Sequence, residues 1–219
     1  MIYGLNFLEL LPQYQCLSDD GTWTSCDKEQ ICGGSLTYEK DWRIDYSSDL
    51  SYHNWVDPSR LDLTCVDKKV IGLIGSMYFL SWSLFSIVTP MLSDRFGRKW
   101  PLFFSMFAQC ICLTLTQLST SIYFTIGVYF LVGICAAGRV TISTTYMNEL
   151  VPENKRIIVT TMLNVGDGFV MVFQVIYYLF NRDSYPLYWF MVGATLTLVF
   201  MIMLVPESPK FLYARNQFD

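Results

Sequence analysis

Pro90-Met91-Leu92-Ser93-Asp94-Arg95-Phe96-Gly97-Arg98-Lys99 is a charged knot set between two long apolar runs, residues 70–92 and 100–118. Each run approaches the roughly 20 residues that an α-helix needs to cross a hydrocarbon core about 30 Å thick. The knot therefore reads as the turn of a transmembrane hairpin. Gly97 suits the reversal, because a sharp turn often needs φ > 0 and glycine takes it without strain. Arg95, Arg98 and Lys99 place the turn on the cytoplasmic side, where basic residues are retained. Asp94 is expected where the first of the two helices ends.

The composition agrees with this. The chain of 219 residues is 53% hydrophobic and only 16% charged, against about 25% charge in a typical soluble domain. A multi-pass integral membrane protein, with the lipid bilayer as its solvent, is the class that fits. The net charge of −4 and the lack of a basic stripe with interleaved aromatics argue against nucleic acid as a partner. No glycine-rich phosphate loop ending in Gly-Lys-Ser/Thr occurs, so transport by this chain would run on gradients and not on its own ATP hydrolysis. Neither an enzyme nor a cofactor is expected.

Residues 1–11 are apolar apart from Asn6 and Glu9 and are followed by Pro12. The stretch is too short to span a bilayer and lacks the basic start and small-residue cleavage site of a signal peptide. It reads as the outer part of a first transmembrane helix whose beginning is missing, with an interfacial anchor as the alternative. Residues 12–69 then form a polar extracellular loop holding Cys16, Cys26, Cys32 and Cys65, with eleven acids against six bases. Cysteines opposite the basic turns point to an oxidising compartment and two disulfides, with three pairings open. Their spacing matches no zinc ribbon and His53 is the only histidine, so no metal site is expected.

Residues 70–205 carry transmembrane helices two to six. Gly72, Gly75 and Ser76 lie on one side of the second, a spacing that lets helices approach closely. Cys110 and Cys112 fall inside the third and read as packing or lipid-facing residues. The fourth runs from about 122 to 147, carries Arg139, and has Gly133, Ala136, Ala137 and Gly138 around it. A charged turn with Glu149, Pro152, Lys155 and Arg156 leads to the fifth, 157–180, which holds Asp167. The outer turn Asn181-Arg182-Asp183-Ser184 precedes the sixth, 185–205, and residues 206–219 begin a cytoplasmic linker. The inner turns and ends together hold seven basic residues, whereas the short outer turns hold only Arg182. That asymmetry is the expected one.

Three short patterns stand at corresponding places. The knot follows the second span, Tyr146-x-x-Glu149 with Arg156 closes the fourth, and Pro206-Glu207-Ser208-Pro209-Lys210 closes the sixth. Together they resemble the sugar and organic-ion branch of the major facilitator superfamily. The cysteine-bearing loop, with Trp55, Asp62, Leu63 and Cys65 before the second span, resembles its organic cation/anion transporters in particular. Pro90 stands where the family's knot opens with glycine, which puts the close helix packing there in question.

The resemblance implies an all-α fold, a major-facilitator-type six-helix half bundle with a partial first helix and five full spans. It implies a twelve-helix carrier at the plasma membrane, so that the missing carboxy-terminal six-helix half would be a partner. It also implies a cytoplasmic gate in which Asp94, Arg95, Gly97, Arg98, Lys99, Glu149, Arg156 and Glu207 link the inner ends of the helices. The alternative for these charges is independent solvation.

Within the spans, Arg139 and Asp167 each lie about 15 Å from the inner helix ends at 1.5 Å per residue, near the middle of the core. An unpaired charge there costs on the order of 2.5–3.5 kcal/mol or more. Thr160, Asn164, Asp167 and Gln174 recur at helical spacing on the fifth span, as do Arg139, Ser143 and Tyr146 on the fourth. Arg139, Asp167, Asn164, Gln174 and Tyr146 are therefore candidates for contact with a small organic solute or a coupled proton. A fixed bridge between Arg139 and Asp167 is the structural alternative. The function expected is secondary transport of small organic solutes, organic ions ahead of sugars. A non-transporting membrane protein or interaction subunit made from a carrier half is the alternative.

Overall fold

The computed structural model describes residues 5–18, 20–33, 36–48, 51–208, 211 and 213. Pro209, Lys210 and the polar tail, which complete the third pattern, lie outside the described residues, as do Met1–Gly4 of the first apolar segment. The elements in order are α1 (Leu5–Leu8), β1 (Tyr14–Leu17), β2 (Trp23–Cys26), α2 (Lys28–Cys32), β3 (Trp42–Ile44), α3 (Lys68–Phe96), α4 (Lys99–Leu118), α5 (Ile122–Leu150), a 3-10 turn (Glu153–Lys155), α6 (Arg156–Phe180) and α7 (Tyr185–Leu204). Five helices among the described residues are long and apolar enough to cross a membrane. With α1 ahead of them, they form the expected six-helix half bundle.

The chain divides into two compact units. One comprises residues Met1–Gly72, Ser119–Ile122 and Met171–Trp189. The segment expected to be a loop is a folded module here. Its antiparallel sheet has the order β2-β1-β3, and Tyr14, Ile31, Trp42 and Ile44 form its core. In β3 the side chains alternate, Trp42 and Ile44 in and Arg43 out, as the two-residue period of a strand requires. The strands were missed because alternation over three or four residues is too brief to stand out in a polar stretch. The open question of pairing is resolved as Cys16–Cys26 and Cys32–Cys65, with Cα atoms 5.7 and 5.5 Å apart.

The module rests on the turn between α6 and α7. His53 donates its backbone N–H to the Arg182 carbonyl at 2.8 Å, and Ser184 Oγ donates to the His53 carbonyl at 2.8 Å. The Arg182 guanidinium donates to the carbonyls of Tyr46 and Ser48 at 2.6 and 3.0 Å. Arg60 reaches Asp183 at 3.2 Å and lies over the Tyr185 ring. Asn54 holds α1 by donating to the Phe7 and Leu10 carbonyls at 2.8 and 2.9 Å. A turn that reads as a mere connector is thus a docking platform.

The second unit comprises Leu73–Leu118, Tyr123–Val170 and Phe190–Asp219. Helix α5 is its most buried member, with 61% of its membrane-length window buried against 6% for the helix that includes α6. The close approaches expected of small residues occur on α5. A side chain at Gly133 would strike Ser81 and the Tyr78 backbone of α3, and one at Gly138 would strike Ser105 of α4. A side chain at Gly72 would instead meet nothing within 4 Å among the described residues. Cys110 and Cys112 are buried packing residues: Cys112 hydrogen-bonds Cys135 of α5, and Cys110 Sγ donates to the Val192 carbonyl of α7.

Helix α3 continues through Pro90 and ends at Phe96, a turn beyond the apolar run. Proline removes one backbone donor there, but the helix resumes and carries Asp94 in its last turn. Only Gly97 and Arg98 separate α3 from α4.

Candidate functional site

Gly97 has φ +96°, as the tight reversal requires. A side chain there would begin 2.8 Å from Glu207 Oε2, so two independent constraints reserve the position for glycine. The reversal aims the backbone N–H groups that open α4 at Glu207. Its Oε1 accepts from the Arg98 and Lys99 backbone nitrogens at 2.9 and 3.1 Å, and from that of Ser208 at 3.1 Å. A carboxylate at the start of a helix satisfies orphan donors and opposes the positive end of its dipole. At the other end of the pairing, Lys99 Nζ donates to the Met203 carbonyl in the last turn of α7 at 2.9 Å.

Arg98 is the hub. Its Nε and one terminal nitrogen donate to the two oxygens of Glu149 at 3.2 and 3.0 Å. The other terminal nitrogen donates to Asp94 at 2.6 Å and Ser93 at 3.1 Å. Ser208 Oγ donates to Glu149 Oε2 at 2.6 Å, and the Tyr146 hydroxyl donates to the Pro206 carbonyl. The ends of α3, α4, α5 and α7 are thereby tied by one fork of charge-assisted bonds, the stronger class of hydrogen bond.

Burial ranks the two arms. The Arg98 and Glu149 side chains are 12% and 11% exposed, whereas Asp94 is 67% exposed. Removing one partner from a buried pair costs about 3–5 kcal/mol, while an exposed pair is worth about 0.2–1 kcal/mol. Glu149 is the main tie and Asp94 an outer arm. Hydrogen bonds donated to Glu149, and secondarily to Asp94, hold the pKa of the Arg98 guanidinium above its ordinary value against the cost of desolvation.

Of the residues expected in the gate, the structure joins Asp94, Gly97, Arg98, Lys99, Glu149 and Glu207. Arg156 stands at the start of α6 with Glu153 at 3.5 Å, and Arg95 is on the exposed side of the last turn of α3. Ser93, Ser208 and Pro206 were not singled out beforehand, although each lies inside a quoted pattern. Their roles come from hydroxyl and carbonyl groups, which sequence patterns rarely mark.

The solute candidates are dispersed. Tyr146 belongs to the charged cluster through Pro206. Gln174 is buried, with an Oε1 that has no partner among the described residues. Asn164 and Asp167 are exposed on α6. Arg139 is part-buried on α5, and its Nε is buried with no hydrogen-bond partner among the described residues.

The family model for the Major Facilitator Superfamily matches residues 46–217. The chain belongs to that superfamily. Among curated relatives, it is 28% identical to human "Solute carrier family 2, facilitated glucose transporter member 5" over 65% of this chain and 30% of that protein. It is 27% identical to human "Organic cation/carnitine transporter 2" over 72% of this chain and 28% of the relative. It is 28% identical to the "4-hydroxybenzoate transporter PcaK" of Pseudomonas aeruginosa over 69% of this chain and 35% of the relative. The chain thus spans about a third or less of the length of these superfamily members, all named as transporters.

Proposed function

We propose that this superfamily chain forms the first six-helix half of an alternating-access carrier for small organic ions, acting with a second six-helix half. The Arg98 cluster carries the reading. Its buried fork joins the ends of four helices and consists of bonds that can be made in one state and surrendered to water in the other. Such a latch biases an equilibrium between states separated by a few kcal/mol. Solute binds near the midplane, and the halves rock around it. The basic residues at the knot end support a latch at the cytoplasmic surface, and the disulfides support a module on the extracellular side of the plasma membrane. Charged Arg139 and Asp167 within the spans favour organic ions over sugars, because an intramembrane charge needs a counter-charge.

The test is flux in proteoliposomes holding the complete reading frame, with labelled tetraethylammonium, benzoate and glucose. Uptake of either ion above that of glucose is the expected result. Glucose moved in preference to both ions would replace this reading with a sugar carrier. A folded, disulfide-bonded protein that moves none of the three would leave the non-transporting reading.

A further inference from the structure

We infer that Cys112 and Cys135 form a dithiol site between α4 and α5, one that takes a single soft, thiol-seeking centre, trivalent arsenic, across its two sulfurs. The register of the helices brings the pair together. Arg98, just ahead of α4, meets Glu149 in the last turn of α5 at 3.0 Å. Cys112 follows Arg98 by 14 residues and Cys135 precedes Glu149 by 14. At 1.5 Å per residue both stand about 21 Å from that ion pair, and 14 residues is close to four turns of 3.6. Each cysteine therefore returns to the face of its helix that the charged residue marks. The backbones are close along this interface, where a side chain at Gly138 would strike Ser105 of α4. The two thiols hydrogen-bond each other, and both residues are buried. The contact lies within one compact unit, so it is complete in this half of the carrier.

The other cysteines are accounted for. Cys16, Cys26, Cys32 and Cys65 are closed as disulfides. Cys110 is two residues from Cys112, and residues so spaced do not share a helix face; its thiol donates to the Val192 carbonyl of α7. Soft sulfur ligands select soft centres. With an arylarsine oxide, each thiol forms one As–S bond, both protons pass to the arsenic-bound oxygen, and that oxygen leaves as water. The oxidation state does not change, so no oxidant is needed. The reagent is neutral and apolar and partitions into the surroundings of the pair, whereas charged reagents that require a thiolate are disfavoured there. Once the first bond has formed, the second sulfur is already in place, and closure is intramolecular with a high effective concentration. Cys110 can make one bond only, which a competing thiol displaces.

Phenylarsine oxide tests this on the reconstituted full-length protein without any measurement of flux. After equimolar treatment and a wash with glutathione, the protein is unfolded in detergent, its remaining thiols are alkylated with N-ethylmaleimide, and the labelled positions are mapped by mass spectrometry. Cys112 and Cys135 are expected to be protected together, at least about tenfold relative to Cys110, because chelation holds where a single bond does not. The protection should survive glutathione at about 1 mM, which does not exceed the effective concentration of a linked partner, and yield to dimercaptopropanol, itself a dithiol. Cys112→Ser should expose Cys135 and Cys135→Ser should expose Cys112, while Cys110→Ser should change neither. Labelling of Cys112 and Cys135 in the treated wild type to the level of Cys110 overturns the assignment. Protection of either cysteine that persists when its partner is serine overturns it as well. The wild-type map decides even where a serine variant fails to fold. Either failure leaves the carrier reading standing, because no step of the test depends on transport.

Discussion

Arg98 divides its donors between partners of unequal burial, and that inequality sets what single substitutions do. Glu149 faces it across a nearly closed contact, whereas Asp94 stands in the open. Glu149→Gln leaves a buried guanidinium without its counter-charge, a loss of about 3–5 kcal/mol from the closed arrangement. Asp94→Asn removes an exposed arm worth about 0.2–1 kcal/mol. Uptake kinetics of the two variants at equal surface expression should therefore differ, with Glu149→Gln the more severe. Equal effects, or none in either, would remove Glu149 from the latch. The knot's charges were legible in the sequence because their type and order are distinctive. That Glu149 outranks Asp94 was not, since only the fold decides which carboxylate is dry.

At the scale of elements, the disulfide-bearing module shows how a small polar segment is held together. Its core is a few aromatic and branched residues, so the disulfides do much of the work. The Cys32–Cys65 bridge closes a separation of 33 residues and Cys16–Cys26 one of 10, which by loop entropy favours the longer by about 1 kcal/mol. Asp57 ties further parts of the module. Burial alone would raise its carboxyl, but hydrogen bonds from the Ser59 backbone and hydroxyl, then Tyr46 and His53, outweigh this and hold it below the ordinary 3.8. Its folded value lies below its unfolded one, so its contribution is present above 3.8 and is lost as pH falls below that. Protease resistance of the module should therefore drop on acidification to about pH 3, and Asp57→Asn should weaken the module at neutral pH while flattening that drop. A variant with wild-type acid sensitivity would show that other carboxylates govern it. The cysteines announced this module, but the sheet and its docking on Arg182–Ser184 stayed hidden, because backbone hydrogen bonds between distant segments leave no residue signature.

At the scale of the whole molecule, the charged cluster of Arg98, Lys99 and Glu149 belongs to one compact unit, and the disulfide module with Arg182 to the other. On the topology proposed above, single cysteines introduced as Lys155→Cys and Lys40→Cys should react with an impermeant maleimide from opposite faces of intact cells, Lys40→Cys from outside. Reaction of both from the same side would dismantle the topology and the carrier reading with it. Helix α6 belongs to this scale as well. Its polar positions Asn164 and Asp167 are recognisable by spacing, yet both are exposed.

Length and hydrophobicity alone established the spans, because a bilayer imposes one requirement, about 20 apolar residues, that each helix meets within its own sequence. The knot, the asymmetry of basic residues and the oxidising loop followed from equally local chemistry. Only the tertiary structure decided which cysteines pair, which glycines bring helices together, and which acid holds Arg98. Those depend on distances between segments far apart in the chain. Burial then multiplies the energy of each contact by an amount that no residue carries by itself.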